Sequence, residues 1–218
     1  MTNIDDRANR STRRASSLPS GLEYPFMFNR KVAPVRLDQF ISAKATSPIP
    51  ARHPALRDAL IQASLDPHVR SIVHVPSADA IALQRDDGRF LLDVVPARRI
   101  RTSEEQQLAQ IAVADLGLKS MVLTAEEVRR EPRFTNGRLV WSHRNTPVPV
   151  GLRLRILLAL RDEGPMPLGE LLKSILSEVD PAPAVMALAC ANLVELDLLS
   201  QPLGPTTIVS YSAQSEIP

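Results

Sequence analysis

The chain has 218 residues, 44% of them apolar and 23% charged, with a formal net charge of +2 and a single cysteine. That balance predicts a globular chain of one large or two small domains. It excludes an internal disulfide framework and a thiolate zinc cluster, so Cys190, in an alanine- and leucine-rich stretch, reads as an inert buried thiol.

Residues 1–21 are polar, with Arg7, Arg10, Arg13 and Arg14 among Ser, Thr and Asn, and read as a disordered basic tail. The stretch has no apolar core and does not read as a secretory signal. No later apolar run approaches the ~20 residues that span a bilayer, so the expected compartment is cytoplasmic. Residues 22–53 mix short apolar pieces, Tyr24–Phe28 and Leu37–Ile41, with Pro34, Pro48 and Pro50, and read as an irregular arm packed on some other element.

From Pro54 the pattern sharpens. Proline in the first turn and apolar residues at Leu56, Leu60, Ile61 and Leu65 predict an amphipathic helix that stops before Asp66-Pro67. Val69–Val75 alternates and is β-branched, which predicts a strand; Ala80–Leu83 and Phe90–Val95 predict two more around an Asp86-Asp87-Gly88-Arg89 turn. A helix is expected from Ser103 to Leu116, with acids at its start and Gly117 as its stop. Lys119–Leu123 reads as a strand, and Thr124 with Glu127 as a capping box on a helical turn over Ala125–Arg130. The linker is expected within Trp141–Val150, chiefly 146–150. Helices follow over Leu152–Arg161, Leu168–Leu176 and Ala182–Leu196, then a hairpin within Leu198–Tyr211. Three helices and a hairpin make a winged helix, here 151–218, after an α/β core at 54–145.

The αβββαβ order of that core is what a metal-dependent phosphodiesterase of the restriction-endonuclease type needs. Such chemistry takes divalent cations held by carboxylates beside a lysine that orients or activates water. Asp58 lies on the first helix, Asp79 starts the second strand and Asp93 interrupts the apolar strand Phe90-Leu-Leu-Asp-Val-Val, where an unpaired carboxylate is costly. With Leu65-Asp-Pro-His-Val, Val75-Pro76, Asp93-Val-Val-Pro, Leu116-Gly117 and Val122-Leu-Thr-Ala-Glu-Glu-Val, this running order resembles the PD-(D/E)xK nuclease superfamily, and in particular TnsA-type endonuclease subunits of heteromeric transposases. The resemblance spans roughly residues 54–211. It implies a restriction-endonuclease-like core followed by a winged helix, with Asp58, Asp79 and Asp93 as catalytic positions and Asp79 and Asp93 as ligands of Mg²⁺ if the site works.

Departures from the family pattern point to a degenerate site. The helix glutamate is Asp58, the proline-aspartate pair is Ala78-Asp79, and the acid-x-lysine motif is Asp93-Val94-Val95. Arg98 and Arg99 follow but stay protonated; Lys119 is the remaining candidate for the missing lysine. The plainer reading makes Asp79 a turn residue and pairs Asp93 with a nearby arginine. His53, His68, His74 and His143 lack metal-ligand spacing on one helix, and no glycine-rich phosphate loop is present.

Charge is unevenly spread: eight Lys/Arg against four Asp/Glu in 1–50, fourteen against twelve in 51–150, and four against eight in 151–218. Any DNA should therefore meet the first two-thirds of the chain, through Arg98, Arg99, Arg101, Arg129, Arg130 and Arg133. Trp141, among further arginines at 138 and 144, either stacks on nucleic acid or is buried between the domains, the second being the preferred reading. The third helix of the winged helix has no Lys or Arg and offers base edges only Asn192, which favours docking a protein over reading DNA. The expected function is a DNA-associated TnsA-like subunit, accessory or regulatory in a mobile element, without catalysis. The alternatives are a winged-helix transcriptional regulator, an active Mg²⁺-dependent DNA endonuclease and a protein-binding adaptor.

Overall fold

His53 starts the first helix, α1 (Pro54–Leu65): its Nδ1 accepts the Ala55 N–H at 3.2 Å, and Pro54 occupies the first helical turn, where no N–H is required. The computed structural model describes residues 38–76, 79–98, 102–115, 117–175, 177 and 180–212. They belong to one compact unit.

Against α1 lies a four-stranded sheet of β3 (Val69–Val75), β4 (Ala80–Arg85), β5 (Gly88–Val94) and β6 (Lys119–Leu123), in that order. The first three strands pair antiparallel. Gly88, at φ 135°, makes the tight β4–β5 turn at the expected place. β6 runs parallel to β5, which a short hairpin cannot achieve, and α2 (Ser103–Asp115) makes the crossover. Ile72, Ile81, Leu83, Leu92 and Val94 are buried within the sheet's apolar core. Thr124 caps α3 (Ala125–Val128) with the expected capping box.

The tail at 1–21 and the arm as far as residue 37 lie outside the described residues, as does Leu116. The last part of the arm is not irregular. β1 (Gln39–Phe40) pairs with β2 (Ile49–Pro50), and Ala45 bridges to Ile72 of β3. Phe40 and Ile49 are fully buried, and Phe40 stacks on Trp141 with ring centroids 5.1 Å apart. Such a pair contributes about 0.5–1.5 kcal/mol beyond its buried area.

A second departure is α4 (Arg133–Ser142), a helix over a stretch where no element was expected, its last two residues falling in the expected linker. Thr135, Asn136 and Gly137 favour turns over helices, so local propensity argued against it. Tertiary contacts override that bias. Gly137 faces Ile61 and Gln62 of α1, and Asn136 is buried and reaches the C-terminal segment.

That segment runs α5 (Val150–Glu163), β7 (Met166–Pro167), α6 (Leu168–Ser174), α7 (Ala182–Cys190), β8 (Val194–Leu196) and β9 (Ile208–Tyr211), with strands in the order β7-β9-β8, both pairs antiparallel. α7 ends six residues earlier than its apolar run suggested. Asn192, at φ 60°, takes the left-handed position, and Leu193 N–H returns to Leu188 O at 3.0 Å, a Schellman closure. Val194–Leu196, expected as the end of that helix, is instead a strand paired with β9, so the hairpin begins before the expected Leu198. α7 packs on α4 and α1, and its Val185 and Leu188 belong to the same apolar cluster as Leu60 and Val140. Buried residues on both sides of 146–150 thus share one apolar cluster. Mixed α/β architecture, with seven helices and one mixed sheet among the described residues, is the fold class.

Candidate active-site cleft

Asp79 and Asp93, fourteen residues apart in sequence, line one cleft of ≈ 490 Å³ together with His53, Leu56, His74 and Arg98. The sheet explains the meeting. Ile81 is paired with Leu92, so the start of β4 and the end of β5 share one end of the sheet. Asp79 occupies the turn before β4 at φ 45°, a left-handed conformation that Asp tolerates better than most residues, and its side chain is 74% exposed. Its Oδ1 is 3.8 Å from His74 Nε2, beyond hydrogen-bonding distance.

Asp93 is held differently. A 3₁₀ turn at Val95–Ala97 turns the chain back after β5, and Arg98 N–H bonds Val95 O at 3.2 Å. The Arg98 guanidinium then grips Asp93 with two bonds, Nε to Oδ1 at 3.1 Å and Nη2 to Oδ2 at 2.5 Å. This is the bidentate fork of an arginine–carboxylate pair. The pairing raises the pKa of Arg98, so that guanidinium stays charged throughout the working pH range.

The third carboxylate does not join them. Leu56 faces the cleft, and Asp58, two residues and about 200° further round α1, is absent from its lining. Lys119 is also remote. It pairs in register with Phe90, three residues along β5 from Asp93, a separation of roughly 10 Å. Its Nζ instead donates to Asp87 O at 3.2 Å and lies over the Phe90 ring.

Mg²⁺ prefers an octahedron of hard oxygens, with one or two carboxylates free to bind. Here both oxygens of Asp93 accept from Arg98, and no group of three His, Cys, Asp or Glu among the described residues could hold a metal ion. The residues present do not fit the ion as they stand.

The basic positions separate in the fold. Arg129 and Arg130 are exposed after α3, whereas Arg99 and Arg101 lie outside the described residues. Arg133 turns inward. Its Nη2 is 3.5 Å from Asp66 Oδ2, an oxygen that Arg85 Nη1 reaches at 3.1 Å, and burial pulls the Arg133 pKa down. Arg133 thus sits in a crevice of ≈ 450 Å³ between β8 and α1, away from Arg129 and Arg130. Trp141 is 6% exposed beneath Phe40 and Arg144, so it offers no face for a base. Asn192 serves the Schellman turn and α7 is buried, which leaves that helix no face for a groove of DNA.

Sequence reasoning missed His53 and His74 as cleft residues. His53 is fixed by its capping role and His74 by the β3–β4 register, where it opposes Ile81. The Pro54 that marks the helix start was the one local signal for His53. No protein-family model matches the chain, and no curated protein matches it. Among the described residues no helix is long and apolar enough to cross a membrane.

Proposed function

We propose that this protein is a TnsA-like member of the restriction-endonuclease fold whose metal site has degenerated, and that it associates with DNA without cutting it. One observation carries the reading: in the cleft at the end of β4 and β5, the strand aspartate Asp93 is clamped by Arg98 where a nuclease would keep a free carboxylate beside a lysine. The element order α1, β3, β4, β5, α2, β6 agrees with the αβββαβ core of that superfamily, and the segment from α5 to β9 has the helix, strand and hairpin order of a winged helix. Arg129 and Arg130 supply exposed positive charge for the phosphate backbone. The buried α7 disfavours a transcriptional regulator that reads bases through this module and favours its use as a protein-docking element in an accessory subunit.

The test is a supercoiled-plasmid assay with Mg²⁺ and with Mn²⁺, run beside a salt titration of binding. Salt-sensitive binding without nicking is the expected result. Nicking that disappears in Asp79→Ala or Asp93→Ala would restore the active endonuclease. Absence of any salt-sensitive affinity would remove DNA from the function and leave a protein-binding adaptor.

A further inference from the structure

Helix α5 has two apolar faces with different fates. Leu152, Ile156 and Leu160 recur every four residues and are buried, on a helix that packs against α6, α7 and β9. Val150, Leu154 and Leu158 have the same spacing, yet they are 70%, 53% and 48% exposed. At 1.5 Å per residue the second set forms one stripe about 12 Å long. Isolated exposed apolar side chains are ordinary on a protein surface; three in helical register form a patch that water covers at a cost.

Beside the stripe is an open groove of ≈ 1000 Å³, with Gly151 and Arg155 on the α5 wall and Pro183 and Ala184 of α7, with the exposed Asp180 before them, on the other. A Cβ on Gly151 would meet nothing within 4 Å, so the α5 wall of the groove is open at that point. Charge singles out the α5 side of it. Only four basic residues occur in 151–218, against eight acidic ones, and three of the four, Arg153, Arg155 and Arg161, are exposed on α5.

Apolar side chains bordered by guanidiniums complement a helix whose leucines are bordered by carboxylates. A phosphate backbone gains nothing from Val150, Leu154 and Leu158. A second copy of α5 would bring the same three arginines toward each other, with only Asp162 and Glu163 at one end to answer them. We propose that the α5 stripe and its groove are a docking surface for an acidic amphipathic helix of a partner protein. This rests on the protein-docking half of the reading above and is independent of its DNA half.

The probe is a synthetic amphipathic helix with leucines every third or fourth residue and glutamates beside them; the control carries lysines for the glutamates. Fluorescence anisotropy with the full chain should show affinity for the glutamate peptide about tenfold above the control. Leu154→Glu should lower that affinity by about tenfold, and Arg155→Glu, a second exposed change, should abolish the preference between peptides. Equal binding of both peptides, no binding, or indifference to Leu154→Glu overturns the proposal. So does concentration-dependent dimerisation that Leu154→Glu abolishes, which would give the face to a second copy, or plasmid affinity lost in the same variant, which would give it to nucleic acid. Peptide binding beside a complete lack of plasmid affinity supports the docking surface and sinks the DNA reading alone.

Discussion

Asn136 and Asp93 are both polar residues on regular elements, and the fold treats them in opposite ways. Asn136, on α4, is 2% exposed. Its Nδ2 donates to Leu198 O at 3.0 Å and Gln201 O at 2.8 Å, while its Oδ1 accepts the Leu203 N–H at 2.8 Å. Asp93, at the end of β5, has a 27% exposed side chain gripped by one arginine that is itself 41% exposed. The seam between α4 and the β8–β9 loop thus spends its polar group entirely on architecture. The cleft holds its polar group with a partner that solvent can replace. A site built like the second can lose its chemistry while the scaffold persists, which is what the degenerate reading requires.

The sharpest way to break this contrast is at the seam. Asn136→Ala removes three hydrogen bonds and orphans three backbone groups of the β8–β9 loop, Leu198 O in a buried position and Gln201 O and Leu203 N–H in partly buried ones. At roughly 1 kcal/mol or more per orphaned group, the loss should be on the order of 3 kcal/mol. Urea denaturation measures it. A loss near zero would mean that the loop rearranges freely, and that the C-terminal segment is not anchored through Asn136.

Lys44, between β1 and β2, is a second buried polar group. It is 5% exposed, and its Nζ donates to Asp66 O at 2.6 Å. Burial draws its pKa down from 10.5 to about 8, with Asp66 opposing part of that shift. The folded value lies below the unfolded one. Below pH 8 both states hold the proton, and the cost of the buried charge is felt in full. Between about 8 and 10.5 the unfolded chain binds the proton that the folded chain has released, so the unfolding free energy rises with pH. Cys190 opposes this: burial raises its thiol from 9.0 to about 12, so its contribution falls as pH climbs above 9. Comparing wild type with Lys44→Met cancels the thiol. The stability difference should move in favour of wild type from pH 8 to 10; a flat difference would mean that Lys44 is solvated.

The seam also predicts a small gain. A Cβ on Gly137 would stand 3.8 Å from both Gln62 and Ile61, ordinary contact distance on an α4 face turned to α1. Gly137→Ala should therefore raise stability by about 0.5–1 kcal/mol through helix propensity alone. Thermal unfolding is the measurement, and a fall in midpoint would show that the two helices need to approach more closely.

Legibility in the sequence follows the range of the interactions. α1, β3 and α3 kept their expected beginnings because proline at the first turn, β-branched alternation and the Thr124–Glu127 box act within a few residues. Asp93 and Arg98 are five residues apart, so the plainer reading of Asp93 as an arginine's partner was open to inspection, and the geometry agrees with it. α4 was hidden because Asn136 answers to Leu198, Gln201 and Leu203, more than sixty residues away, and against these its local preference for turns counts for little. The ribbon at 39–50 was hidden for the same reason, since Phe40 finds its partner in Trp141. Of the cleft, the acids were legible and the histidines were not: His74 and Asp79 are also only five residues apart, but no motif pointed to the pair, and the β3–β4 pairing decides that they face each other.

The smallest expected effect belongs to the cleft. Asp93 and Arg98 make a bidentate pair at the surface, where water and salt weaken the attraction and side-chain entropy opposes it. A double-mutant cycle on Asp93→Ala and Arg98→Ala should return a coupling of about 0.2–1 kcal/mol, at the ordinary level for exposed pairs. The same cycle discriminates between two roles for Asp93. If the carboxylate serves only as a clamp for Arg98, either single variant leaves Mg²⁺ without effect on the thermal midpoint, as in wild type. If instead Arg98 masks a residual ligand, Arg98→Ala frees both oxygens of Asp93 beside Asp79, and millimolar Mg²⁺ should stabilise that variant but not the double one. Only the second result would separate masking from loss, because a ligand that binds the folded chain alone must raise its stability by mass action.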